Sequence, residues 1–107
     1  MVKKRLPKKV IQGVEEYVAS LRSDKLPIKS VYVFGSYAKG EQRKDSDVDV
    51  AIISPKFKNS WQALQYLWKN RPSNLNIPIE PMGFNPTDFK SKYSSLINEI
   101  KTYGVKV

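Results

Sequence analysis

Asp47 and Asp49 stand one residue apart at the head of an apolar run, DVDVAII, that continues through Val50, Ile52 and Ile53. In a β-strand alternate residues share a face, so these two carboxylates point the same way with Cα atoms about 6.6–6.8 Å apart. Like charges at that range repel each other and lose hydration unless a cation lies between them. The chain has no cysteine and no histidine, which excludes thiolate and imidazole metal sites and the commonest neutral-pH general base. The remaining donors are hard oxygens, the set that suits Mg²⁺, an ion that commonly keeps substrate phosphates among its ligands.

The stretch VFGSYAKG just upstream supplies what a phosphate needs. Gly35, closing a strand, lets the backbone approach a ligand. A short helical turn through Ser36 and Lys39 aims backbone N–H groups and the Ser36 hydroxyl at an anion, and Lys39 adds a positive charge. Gly40 then allows the chain to fold back through the polar EQRKDS segment, setting the Gly-Ser turn and the aspartates at adjacent strand ends. Glu80 is the sole acid of IPIEPMGF and faces away from Ile77 and Ile79. It is the candidate third metal ligand and the candidate general base for an attacking hydroxyl. The competing readings are an exposed acid on an edge strand for Glu80 and a solvated side chain for Lys39.

Hydrophobic periodicity predicts the elements that must hold these groups. Val10, Ile11, Val14, Tyr17, Val18 and Leu21 mark an amphipathic helix over 8–23. Strands are predicted at 29–35 and 48–54. A second long helix over 60–70 takes Ser60 as its N-cap, with a stripe of Trp61, Leu64, Gln65 and Trp68 that places the tryptophans in the core. A third strand over 76–84 is read as an edge strand because of its prolines. A last helix starts at Asn85 and Pro86, buries Phe89, Tyr93, Leu96, Ile97 and Ile100, and stops at Gly104 before a short strand at 105–107. The result is an α+β fold, a small mixed sheet of three to four strands packed with three to four helices.

A length of 107 residues with 40% hydrophobic composition predicts one domain spanning 1–107. Residues 1–7 read as a solvated basic tail, since Lys3, Lys4 and Arg5 cluster there. A formal charge of +9 favours polyanions, nucleotides or an acidic partner without choosing among them. No apolar run approaches a membrane span, and the charged N-terminus lacks the stretch a secretory signal needs, so a soluble cytoplasmic protein is expected.

GSYAKG followed by SDVDVAI resembles the signature of the DNA polymerase beta nucleotidyltransferase superfamily, and the length is similar to that of its minimal nucleotidyltransferase branch. The likeness is strong over 28–54 and weaker over 76–101. It implies a polymerase beta palm-like fold in which Gly35 and Ser36 contact the triphosphate of an incoming nucleotide and Lys39 matches a basic position that often reaches a phosphate. It further implies that Asp47, Asp49 and a third acid at Glu80 hold two Mg²⁺ ions. Many members have aspartate at that third position, so Glu80 is one carbon longer. The implied reaction moves a nucleoside monophosphate, AMP from ATP, to a hydroxyl and releases pyrophosphate. Because 107 residues leave no room for template- or primer-holding domains, the acceptor is expected to come from a partner. Small proteins of this kind are encoded as antitoxins beside HEPN-domain ribonuclease toxins, and some adenylylate a toxin tyrosine. The resemblance therefore implies an adenylyltransferase antitoxin in a hetero-oligomer. Two other readings stand beside it: a non-catalytic antitoxin that neutralises by contact, and a basic nucleic-acid-binding module. Helix stripes claim most of the aromatic residues, which weakens the last.

Overall fold

The computed structural model describes residues 6–43 and 46–107. The basic residues at positions 3–5, together with Lys44 and Asp45, lie outside the described residues. Leu6, expected in the solvated tail, is instead buried in the main core beside Val10 and Val14. Its apolar side chain gains more from that contact than from hydration.

Four strands form one mixed sheet in the order β3-β2-β1-β4. Strand β1 (Ser30–Phe34) runs antiparallel to β2 (Val48–Ile53), and β2 runs parallel to β3 (Ile79–Phe84). The parallel step needs a crossover, which α3 (Ser60–Lys69) provides. Strand β4 (Val105–Lys106) closes the other side against β1. The proline-bearing strand β3 is an edge, as its sequence predicts, and the final short strand is present too.

Alternation along the strands separates two cores. Val31, Val33, Val48, Val50 and Ile52 face α1 (Lys8–Ser23) and α3, while Phe34, Ala51, Ile53 and Phe84 face α4 (Ser95–Tyr103). The buried stripe of α1 follows the predicted period through Val10, Val14, Tyr17, Val18 and Leu21. The buried Tyr17 hydroxyl donates to the Leu67 carbonyl at 2.7 Å, tying α1 to α3. Loss of solvation holds that phenol well above its ordinary pKa.

Helix α3 is rotated from its expected phase. Its buried residues are Ala63 and Leu67, whereas Trp61 and Trp68 are 66% and 43% exposed. The cause is close packing against β3: a methyl added at Gly83 would lie 2.8 Å from the Ala63 Cβ, a gap that admits alanine and no indole. The cap also shifts by one residue. The Asn59 side chain, not that of Ser60, accepts the Gln62 N–H at 2.8 Å. Accordingly, Asn59→Ala is expected to lower stability by about 1 kcal/mol and Ser60→Ala by less than about 0.5 kcal/mol, read from urea melts.

The last helix is divided as well. The Asn85 side chain accepts the Asp88 N–H at 2.7 Å, which draws Asp88–Lys90 into a 3-10 turn. Ser91 then turns extended, and Ser94 caps α4 by accepting the Ile97 N–H at 3.2 Å. Phe89 still packs on the sheet, with its ring centroid 5.5 Å from that of Tyr32. Tyr93, expected in the stripe, falls in the break and is 99% exposed. Among the described residues no helix is long and apolar enough to cross a membrane.

Candidate active site at one end of the sheet

Strand directions bring the end of β1 and the starts of β2 and β3 to the same margin of the sheet. Phe34 pairs with Asp49, and Asp49 pairs with Glu80, in one continuous row. Asp49 therefore sits between a phenyl ring and a second carboxylate on the face covered by α4. It is half-buried, while Glu80 and Asp47 are exposed. Burial pushes the Asp49 carboxyl up to about 6, and the charges of Glu80 and Asp47, a hydrogen bond with Glu80 and the charge of Glu99 add to that rise. This is the electrostatic condition of a half-buried acid with a second carboxylate in register beside it.

Gly35 follows β1 immediately and has φ 74° and ψ −147°. Only glycine adopts such a conformation without strain. Its missing side chain is also used, because a Cβ there would lie 2.1 Å from the Asp49 Oδ2. The backbone of the Gly-Ser turn thus rests directly on the acid. Helix α2 (Ser36–Lys39) begins at the next residue, and Gly40 ends it in the left-handed conformation at φ 71°. The Glu41 N–H donates to the Ser36 carbonyl at 2.8 Å, folding the chain back toward β2.

The structure brings Gly35, Asp49 and Glu80 together, with Ser36 on the adjoining turn and Asp47 just before β2. Among the described residues, no three acidic side chains converge on one point as a finished metal centre. Asp49 and Glu80 are the in-register pair, and Asp47 lies at the solvent-facing margin. Lys39 is engaged elsewhere: its Nζ donates to the Glu99 Oε1 at 2.6 Å and lies 5.2 Å from the Tyr103 ring centroid. Hydrogen bonding to Glu99 raises the Lys39 pKa. Glu99 is the site residue that sequence reasoning missed. Its only signal there is a helical spacing of four from Tyr103, which sets the two on one face.

Comparison with known proteins identifies the family. Residues 11–107 match the family model of the nucleotidyltransferase domain. MJ0141 of Methanocaldococcus jannaschii, provisionally named a protein adenylyltransferase, is 30% identical over 92% of this chain and 95% of its own length. Protein adenylyltransferase MntA of Shewanella oneidensis is 26% identical over 84% of this chain, which spans 61% of that relative. A crystal structure of a toxin–antitoxin with AMP-PNP superimposes with a TM-score of 0.54 at 24% identity, covering 86% of this chain and 70% of the other. That likeness shows the fold. By the extent of the family match and the likeness to MJ0141, this chain belongs to the nucleotidyltransferase domain family.

Proposed function

We propose that this protein is an antitoxin that transfers AMP from ATP to a tyrosine hydroxyl of a HEPN-type toxin, acting as a single domain in the cytoplasm. Family membership supports nucleotidyl transfer, relatives named protein adenylyltransferases support a protein acceptor, and the toxin–antitoxin fold neighbour with AMP-PNP supports the partner and the nucleotide. The observation that carries the reading is the Asp49–Glu80 pair, in register on adjacent strands and backed by the Gly35 backbone.

The residues fit a divalent cation by their chemistry: the side-chain donors of Asp47, Asp49 and Glu80 are all oxygen, and Asp49 and Glu80 stand in register on adjacent strands. Asp47, Asp49 and Glu80 would hold Mg²⁺. When bound, the ion supplies neutralisation of charge on the entering and leaving oxygens. The chain's own groups do the rest. Gly35 and Ser36 orient the triphosphate, and Lys39 offers its ammonium to it. Glu80 accepts the proton of the acceptor hydroxyl, whose oxygen bonds to the α-phosphorus. The bond from that phosphorus to the bridging oxygen breaks, and pyrophosphate leaves.

The test combines the protein with ATP labelled at the α-phosphate, Mg²⁺ and its toxin partner. Label is expected on a toxin tyrosine, to disappear with EDTA, and to be absent from a tyrosine-to-phenylalanine toxin. An unlabelled toxin that is nevertheless neutralised would establish inhibition by contact. Salt-sensitive RNA or DNA binding indifferent to ATP would favour the nucleic-acid module.

A further inference from the structure

The ammonium expected to meet a phosphate already holds an anion. Lys39 belongs to the turn that follows Gly35, and its Nζ contacts the Glu99 Oε1 at 2.6 Å. A carboxylate oxygen at that distance presents to lysine the same charge sign and the same acceptor chemistry as a phosphate oxygen. The pair is not sealed away, since the two side chains are 33% and 35% exposed. Glu99 is held by α4, where Ile97 and Ile100 on either side of it are anchored in the core. Tyr103, one turn further along, faces the same ammonium. The carboxylate is thus fixed on a packed helix, while Lys39 is the long, flexible partner, with several rotatable bonds between its charge and the backbone. Lys39 lies on the four-residue helix that starts beside Gly35, whose backbone rests on the Asp49 carboxylate, which places the pair at the margin of the acidic site.

We propose that Glu99 is an affinity-setting positioning residue, an internal anion that holds Lys39 and must release it to the triphosphate when ATP binds. This rests on the nucleotidyltransferase reading of the site. ATP then gains one lysine contact only by breaking another, so occupancy of the site reflects the difference between the two.

The test is a double-mutant cycle with the affinity for Mg²⁺-ATP, measured by calorimetry, as its readout. Thermal melts of every variant confirm folding. Because the pair is partly exposed, Glu99→Gln is expected to tighten ATP binding by about two- to fivefold. Lys39→Met is expected to weaken it, and in the Lys39→Met background the gain from Glu99→Gln should disappear. An unchanged or weaker affinity in Glu99→Gln would overturn the proposal. So would an equal gain in both backgrounds, which would reveal a general field effect in place of competition for Lys39. If the wild-type protein binds ATP and only the cycle fails, this inference alone falls. If the wild-type protein does not bind ATP, the reading of the site falls with it.

Discussion

Replacing Asp47 and Asp49 together by asparagine is expected to abolish nucleotidyl transfer, by at least about 10²–10³-fold, while leaving a folded protein. The activity loss follows from removing two of three acidic donors at the sheet margin. The fold survives because neither residue belongs to either core. The single Asp49→Asn variant separates the two effects further. Its carboxyl is raised from an ordinary 3.8 to about 6 by burial and by neighbouring negative charge. An acid whose pKa is higher folded than unfolded binds more protons in the native state, so stability falls as pH rises between the two values. Metal-free wild type should therefore lose stability from about pH 4 to about pH 6, and Asp49→Asn should not. Allowing for solvent screening, the difference above pH 6 is on the order of 1 kcal/mol in favour of the variant. Thermal melts across pH measure it, and a wild-type midpoint that does not fall across that window would contradict the crowding of charge at Asp49.

Gly35→Ala carries the second large effect. The added methyl must adopt φ 74°, a conformation that L residues avoid, and it would fall 2.1 Å from the Asp49 Oδ2. Relief requires the turn to withdraw from the acid or the carboxylate to swing away, and either movement breaks the juxtaposition of the Gly-Ser turn and the acidic row. A stability loss of about 1–3 kcal/mol is expected, with transfer activity reduced by about 10²-fold or more. Gly40→Ala shares the left-handed backbone, at φ 71°, and tests how much of the effect is conformational. It should lose some stability and retain most of its transfer. Equal activity losses at the two glycines would indicate that the turn matters for folding and not for its contact with Asp49.

The face of Asp49 was legible because its determinants are local. Val48, Val50 and Ile52 alternate with Asp49, Ala51 and Ile53, so the face of Asp49 follows from strand geometry alone, whereas Asp47 lies just before the strand. Glycine at position 35 signalled a close approach to a ligand; in the structure the group that approaches it is the Asp49 carboxylate. Helix α3 was misphased because its ten residues admit two overlapping apolar stripes, and the choice between them lies in Gly83, a residue on another strand. The division of the last helix rests on competing side-chain caps: Asn85, Ser91 and Ser94 each offer the backbone a local alternative to continuing the helix. The Lys39–Glu99 pair spans 60 positions of sequence, and nothing local joins its members. The misreadings thus fall where tertiary packing or cap competition decides; the face of Asp49 depends on neither, and its register with Glu80 comes from the pairing of two strands distant in sequence.

The most direct measurement is a crystal structure with Mn²⁺ and a non-hydrolysable ATP analogue, with the metal located by its anomalous scattering. The account predicts manganese bound by carboxylate oxygens of Asp47, Asp49 and Glu80 at about 2.0–2.3 Å, with the triphosphate against Gly35 and Ser36. Manganese and nucleotide bound away from this margin, with Asp49 and Glu80 coordinating neither, would contradict it.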